Sequence, residues 1–206
     1  MGQVYEVIDG RMREFLLAQP VFFVGTAPSG VDGHVNISPK GLAGSFAVLG
    51  EHRVAYLDYG GSGAETIAHL RDNGRIVLMF CAFAGPPKIV RLHGRGRVHL
   101  AADPGFADLC TAFPPAHPGL RSVVEVAVSR VSDSCGFAVP AMTYESDRDL
   151  LPQYWARKSP EETVDYWERK NATSIDGLPA LPTTAPARRR PASPSDPEPS
   201  VDKLVG

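Results

Sequence analysis

The sequence Tyr56-Leu-Asp-Tyr-Gly-Gly-Ser-Gly-Ala-Glu-Thr-Ile-Ala-His-Leu-Arg-Asp-Asn-Gly74 runs from an apolar strand through a glycine-rich turn into a short helix. Ser62, followed three residues later by Glu65, matches a capping box, and Gly74 is a typical helix stop. A helix N-terminus concentrates unpaired N–H groups and the positive end of the helix dipole, and glycines let an anion approach the backbone. The stretch therefore predicts a phosphate-binding turn, with ordinary turn glycines before a surface helix as the alternative.

Short strands surround this stretch. Apolar or alternating segments predict strands at residues 21–26, 35–38, 54–57, 76–83, 89–100 and 123–131, and Asp32-Gly33 is a hairpin signal. Gly94 and Gly96 inside the longest segment indicate a bulge or a close approach of backbone. Because few helices separate the strands, we predict a mainly β (α+β) fold, an antiparallel sheet that closes or nearly closes into a small barrel with peripheral helices.

Helices are predicted at the two ends of the chain and between strands. Residues 9–19 carry one apolar face, and Asp103-Pro104 is the expected start of a second helix. Residues 147–157 follow, and Ser159 with Glu162 forms another capping box for a helix to about residue 170. We expect one domain over residues 1–177, with C-terminal helices at about 147–171. Residues 178–206 are rich in Pro and polar residues and predict a disordered tail.

Composition excludes several classes of function. With 21 Lys and Arg against 23 Asp and Glu, the net charge of −2 provides no basic field for nucleic acid. No apolar run reaches membrane-spanning length and the N-terminus is not a secretion signal, so we expect a soluble cytoplasmic protein and no membrane partner. Cys81, Cys110 and Cys135 are an odd number at wide spacing, which predicts neither a disulfide framework nor a metal site. Only Cys135 lies in a turn-like context.

Several segments, taken in order, resemble a known family. They are Phe22-Phe23-Val24-Gly25-Thr26, Gly33-His34-Val35-Asn36-Ile37-Ser38-Pro39-Lys40-Gly41, residues 54–80, and Arg91-Leu92-His93-Gly94-Arg95-Gly96-Arg97-Val98. Together they resemble the pyridoxamine 5'-phosphate oxidase-like FMN-binding split barrel over residues 4–131. The resemblance implies a homodimer with FMN at each of two clefts between subunits. It also implies an oxidoreductase of a small organic substrate, in which the flavin supplies the redox chemistry.

The resemblance also implies a set of cofactor-binding residues. These are Asn36, Ser38, Lys40, Tyr56, Asp58, Ser62, Gly63, Thr66, Arg91 and Arg95. Residues 36–40 would lie along the flavin ring and ribityl chain, with Ser38 and Lys40 donating to the cofactor or to substrate. Residues 56–58 and 62–66 would flank the phosphate, which would rest on backbone amides and on the hydroxyls of Ser62 and Thr66. Lys40, Arg91 or Arg95 would supply positive charge. Catalytic residues stay unassigned.

The sequence also departs from the family. Where the oxidases have an Arg-Lys pair for the phosphate, this chain has Glu65-Thr66, and a carboxylate there repels a dianion unless it turns back into the capping box. The residues that hold pyridoxal phosphate have no match, so the chain resembles a divergent branch and not the true oxidase. Residues 174–179 either cover the cleft or form a simple helix stop.

Two alternatives to a flavin oxidoreductase remain. The first is a flavin-binding module without turnover, because no paired proton donor stands out. The second is the same barrel holding a deazaflavin or haem, since fold alone does not fix function. A haem would need His34, His69 or His93 as its ligand.

Overall fold

The computed structural model of the chain describes residues 2–182. In these residues eight strands and five helices follow one another in the order predicted, with two short strands that the sequence analysis did not identify. The elements are β1 (Val4–Tyr5), α1 (Gly10–Leu17), β2 (Phe22–Thr26), β3 (Asn36–Lys40), β4 (Phe46–Gly50), β5 (Arg53–Tyr59), α2 (Glu65–Asp72), β6 (Arg75–Cys81), β7 (Ile89–Leu100), α3 (Phe106–Cys110), β8 (Leu120–Ser134), α4 (Leu150–Ala156) and α5 (Pro160–Lys170).

The strands form one antiparallel sheet in the order β3-β2-β6-β7-β8-β5-β4, and β1 pairs with β8. The sheet curves until the β3–β2 end meets the β5–β4 end through side chains. The rings of Phe22 on β2 and Phe46 on β4 lie 5.3 Å apart, and Lys40 of β3 contacts Asp58 of β5. Among the described strands no hydrogen-bonded ladder joins β3 to β4, so the barrel stays open. The mainly β, split-barrel prediction is confirmed.

The core lies inside this curved sheet. Four aromatic rings form its centre, with Phe80 stacked on Phe22 at 5.3 Å and Tyr56 edge-on to Phe22 at 5.5 Å. Helix α1 closes one end by burying Met12 and Leu16, after an Asp9 side-chain cap on the Met12 amide. Burial of these apolar side chains is the main favourable term for the fold.

The two glycines of β7 have the role that the sequence predicts. The β7–β8 register shifts at Gly94, where an added Cβ would lie 2.2 Å from the Ala127 carbonyl oxygen. A Cβ at Gly96 would lie 2.8 Å from Leu70 of α2. A bulge at the first position and close packing of α2 at the second therefore both need glycine.

Helices α4 and α5 pack back onto the barrel. The capping box of Ser159 and Glu162 is present, with Pro160 in the first turn of α5, as predicted. Trp155 of α4 is 2 % exposed and lies against Gly60 and Gly119. The C-terminal helices therefore cover the glycine-rich turn that precedes α2.

Several predictions about helix ends and chain ends are wrong. Ser62 does not cap α2: the N-cap is Ala64, without a side-chain hydrogen bond. Helix α3 begins after Gly105 and not at Asp103, whose carboxylate instead accepts from the Leu100 amide. Ala180 and Leu181 are buried, so a tail does not begin at residue 178. The rest of the expected tail, residues 183–206, lies outside the described residues.

Other predictions concern cysteines, metals and membranes. The three cysteines are free, and Cys135 is the exposed one. In the described part of the chain no three His, Cys, Asp or Glu side chains converge as metal ligands. Within residues 2–182, no helix has the length and apolar character needed to cross a membrane.

Candidate functional site

One face of β3 carries three of the predicted site residues. Side chains alternate between the two faces of a strand, and Asn36, Ser38 and Lys40 are partly buried while Ile37 and Pro39 point outward and are exposed. The buried side of β3 faces the N-terminal end of α2 and the edge of β5. We call the space between these elements the β3 groove, lined by Asn36, Ser38, Lys40 and Thr66.

Asn36 connects β3 to the first turn of α2. Its Nδ2 donates to Thr66 Oγ1 at 3.2 Å and lies 3.2 Å from Ser38 Oγ. Thr66 is 4 % exposed and is the second residue of α2. The structure therefore brings Asn36, Ser38 and Thr66 together beside a helix N-terminus, where free N–H groups are available.

Lys40 belongs to a buried ionic cluster. Its Nζ donates to Asp58 Oδ1 at 2.7 Å, while Arg121 Nε and Ser122 Oγ donate to Asp58 Oδ2 at 2.8 and 3.2 Å. Burial alone would raise the pKa of Asp58, but the charges of Lys40 and Arg121 outweigh it and hold the pKa well below its usual range. Two cations share one carboxylate, so the cluster carries one surplus positive charge. Lys40, 20 % exposed, is its accessible member.

Arg121 extends the cluster to the glycine-rich turn. Its Nη1 donates to the Gly63 carbonyl oxygen and to Asn171 Oδ1, each at 2.8 Å, and Asn171 Nδ2 donates to the Gly61 carbonyl oxygen at 2.9 Å. Sequence reasoning missed Arg121 and Asn171. For Arg121 a signal existed, because a lone charged residue in the apolar run Leu120–Val124 must be paired if that strand is buried.

The glycine-rich turn itself packs against the protein. Trp155 Nε1 donates to the Gly60 carbonyl oxygen at 3.1 Å, and a Cβ at Gly60 would lie 2.3 Å from the Trp155 ring. Gly60 therefore allows a tryptophan to approach closely, and the carbonyl oxygens of the turn bind donors of the same chain. Ser62 is exposed and Gly61 and Gly63 are half-buried, so this part of the predicted phosphate-binding turn is accessible.

Tyr56 lies beneath the groove. The side chain has no exposed surface, and its hydroxyl has no hydrogen-bond partner among the described residues. Burial and the nearby Asp58 carboxylate raise the pKa of Tyr56 well above its usual value. The Lys40 Nζ lies 6.0 Å from the centre of its ring, so Tyr56 supports Lys40 from the core side.

The two arginines of β7 lie away from the β3 groove within one chain. Arg95 Nη1 donates to the carbonyl oxygen of Asn73, at the C-terminal end of α2. Arg91 Nη1 donates to Ser134 Oγ at 2.9 Å, near the end of β8. Among the residues that the structure describes, Arg121 bonds to the Gly63 carbonyl oxygen just before α2, and Lys40 shares Asp58 with it. These two side chains supply the positive charge of this region.

The three candidate histidines occupy different environments. The exposed His34 side chain has its Nδ1 2.6 Å from Asp176 Oδ1 in a partly exposed ion pair. His69 is fully buried, with Nδ1 2.9 Å from Thr26 Oγ1. Burial lowers the pKa of His93 on β7. The arrangement favours none of the three as a haem ligand.

The chain was compared with known proteins. The family model described as Pyridoxamine 5'-phosphate oxidase matches residues 8–135. A curated relative, Pyridoxamine 5'-phosphate oxidase family protein ustO from Aspergillus flavus, is 40% identical over 192 residues, which cover 86% of this chain and 77% of the relative.

Two solved structures show weaker similarity. HupZ of Group A Streptococcus has a TM-score of 0.48 at 19% identity, covering 60% of this chain and 91% of that one. An FMN-binding protein from Syntrophomonas wolfei has a TM-score of 0.44 at 15% identity, covering 59% of this chain and 82% of that one. The assignment rests on the family model and the Aspergillus relative: the chain belongs to the pyridoxamine 5'-phosphate oxidase family.

Proposed function

We propose that this protein is an FMN-dependent oxidoreductase of a small organic substrate and that FMN lies along the β3 groove. The observation that supports the proposal is the polar face of β3, on which Asn36 bonds to Ser38 and to Thr66 at the start of α2, while Lys40 bonds to Asp58 of β5. Membership of the family supports a flavin as the ligand of this groove. The residues with which the oxidases hold pyridoxal phosphate have no match in this chain, which favours a substrate other than pyridoxamine phosphate.

The side chains of the groove fit the polar parts of a flavin. Asn36 and Ser38 offer amide and hydroxyl groups that both donate and accept, as the ring edge and the ribityl hydroxyls require. Lys40 adds the surplus positive charge of the ionic cluster. At the first turn of α2, Glu65 is the residue that opposes a phosphate, but its carboxylate accepts from the Ile175 amide at 3.1 Å. This hydrogen bond partly offsets the negative charge.

FMN, when bound, supplies hydride or electron transfer. The protein's own contribution is orientation and charge. Asp58 fixes the Lys40 ammonium group at 2.7 Å, so Lys40 presents a held cation to the groove. A preorganised cation of this kind stabilises negative charge that develops on a bound ring. The hydrogen bond from Asn36 to Thr66 holds the start of β3 beside α2.

We also propose that two copies of the chain form a homodimer with the flavin between them. The outward face of the edge strand β3 supports this, because Val35 and Ile37 are 71% and 68% exposed and an unpaired edge strand with apolar side chains favours association. Sedimentation of the wild-type protein should give a dimer, and Ile37→Lys should shift it toward the monomer. A cytoplasmic location remains an expectation.

Substitutions in the groove test the flavin site. Lys40→Ala removes a charged donor, whose loss typically costs about 1.5–3 kcal/mol, so the Kd for FMN should rise about 10- to 100-fold. Thr66→Val removes one neutral hydroxyl and should raise it about 2- to 10-fold. Titration of flavin fluorescence measures both constants.

Two variants are matched controls for these substitutions. Lys88→Ala removes a lysine that lies beside Asp133, and Thr111→Val removes an exposed hydroxyl that bonds within α3. Both should bind FMN as the wild type does. Unchanged FMN affinity in Lys40→Ala and Thr66→Val would remove these residues from the site. Bound flavin without consumption of reduced nicotinamide in a diaphorase assay would favour the non-catalytic module.

A further inference from the structure

After α5 the chain folds back as a hairpin over residues 171–181, which we call the C-terminal hairpin. Thr173 and Pro179 pair across it as an isolated bridge. The Leu181 amide donates to the Asn171 carbonyl oxygen at 3.0 Å, which closes the base of the hairpin. The segment is therefore an ordered element and more than the end of a helix.

The base of the hairpin is firmly packed. Asn171 and Ala180 are fully buried, and Leu181 is 8% exposed. Ala180 and Leu181 form one apolar cluster with the buried side of α2, which contributes Ala64, Ile67 and Ala68. Opening the base would expose this cluster to water and remove the Leu181 amide from the Asn171 carbonyl oxygen, so the base stays in place.

The tip of the hairpin is residues 174–177, of which Ser174 is 6% exposed and Ile175 to Gly177 lie at least partly at the surface. The Ile175 amide donates to the Glu65 carboxylate at 3.1 Å. Asp176 Oδ2 accepts from the His34 amide at 2.9 Å, and Asp176 Oδ1 lies 2.6 Å from His34 Nδ1. The side chain of His34 is 70% exposed. The Asp176 side chain is 17% exposed, so this is a partly exposed ion pair. A pair with one solvated partner contributes less to stability than the apolar packing of the base, so the tip can be released while the base remains packed.

The tip bridges the two elements that border the β3 groove. Glu65 precedes Thr66 at the start of α2, and His34 lies two residues before Asn36 at the start of β3. Thr66 and Asn36 are in direct contact with each other. The tip therefore spans the end of the groove at which the first turn of α2 begins, the position where an anionic group would be bound.

We propose that the tip of the C-terminal hairpin is a cover that must be released before the phosphate end of a flavin can reach the first turn of α2. This inference rests on the proposed function. A phosphate at that turn displaces the link between Asp176 and His34. Riboflavin, which has the same ring and ribityl chain without the phosphate, occupies the groove without displacing the tip. The cover thus makes binding of the phosphorylated flavin, and not of riboflavin, dependent on the hairpin.

Two substitutions release the tip and have opposite effects on charge. Asp176→Ala removes a negative charge, and His34→Ala removes the imidazole that pairs with it. Stopped-flow quenching of flavin fluorescence measures the association rate constants of FMN and riboflavin for each full-length variant. Both variants should associate with FMN about three- to tenfold faster than the wild type, the effect expected from losing one partly exposed ion pair and its hydrogen bond. Association of riboflavin should not change.

Asp32→Ala is the matched control, because Asp32 is an exposed carboxylate in the same loop as His34. It should leave both association rates unchanged. Opposite effects of Asp176→Ala and His34→Ala on FMN would show that charge and not the cover controls association, and equal rates in all proteins would also overturn the proposal. Failure of every protein to bind either flavin would overturn the proposed function itself. That result differs from flavin binding at rates that the hairpin substitutions do not change, which would overturn only the cover.

Discussion

Asp58→Asn should destabilise the protein strongly, because it removes the carboxylate shared by Lys40 and Arg121. The Asp58 side chain has no exposed surface and that of Arg121 is 4% exposed, so the arginine cannot recover its hydration when its partner is lost. Removing one partner of a buried pair costs about 3–5 kcal/mol. For a domain of this size that loss lowers Tm by about 6–20 °C.

The same change at an exposed pair is the control. Asp165 pairs with Arg169 on α5, and both side chains are more than 60% exposed at 62% and 61%. Asp165→Asn should cost less than about 0.5 kcal/mol. Thermal and urea unfolding followed by circular dichroism compare the two variants. An Asp58→Asn protein as stable as Asp165→Asn would refute the assignment of a buried ionic cluster beneath the groove.

The pH dependence of the Asp58 effect has a defined sign. Because the folded pKa of Asp58 is held below its ordinary value, its contribution is fully present above the unfolded pKa of about 3.9. It is lost as the pH falls through the lower folded pKa. The difference in unfolding free energy between wild type and Asp58→Asn should therefore be constant near neutral pH and decrease only in strong acid.

Two further predictions concern the turn and the hairpin. Gly60→Ala should cost about 1–3 kcal/mol because its Cβ would overlap Trp155, whereas Gly61→Ala, with no heavy atom within 4 Å of its Cβ, should be tolerated in the same unfolding assay. The hydrogen bond to Asp176, together with the charge of that carboxylate, raises the pKa of His34. The stabilising contribution of the His34–Asp176 pair is therefore fully present below about pH 6.5. It is lost as the pH rises through the higher pKa that His34 has in the folded protein. Hydrogen exchange of residues 174–177, corrected for intrinsic rates, should show more opening at the higher pH in wild type, and His34→Ala should abolish this dependence. The same protection at both pH values would contradict a role of the His34–Asp176 contact in holding the tip.

The local pattern predicted a strand at residues 35–38, the family resemblance implied one over residues 36–40, and the structure has β3 at Asn36–Lys40. Successive side chains of a strand point to opposite faces, so a strand over residues 36–40 places Asn36, Ser38 and Lys40 on one face. The structure has this arrangement. Glycines within the run of β7 likewise indicated a bulge, because a side chain at Gly94 has no space. Period-two patterns and glycine positions are properties of a few neighbouring residues, which a single sequence displays.

The surroundings of the α2 N-terminus could not be predicted because distant residues determine them. Glu65 fits a local capping box, yet its carboxylate accepts from an amide 110 residues away at Ile175. Trp155 reaches Gly60 across 95 residues. Composition near residue 178 indicated a tail, but burial of Ala180 against α2 overrides it. A local motif shows which neighbouring residues a side chain can bind. It does not show which residues far away in the sequence compete for the same hydrogen bond.

The absorption spectrum of the purified protein, before and after titration with FMN, shows whether the β3 groove holds a flavin. Identification of whatever is released on denaturation completes the measurement. A flavin spectrum, or saturable binding of FMN that Lys40→Ala weakens, is the result expected for a flavin in the β3 groove. A colourless protein that does not bind FMN in the wild type or in Asp176→Ala would contradict the proposed function.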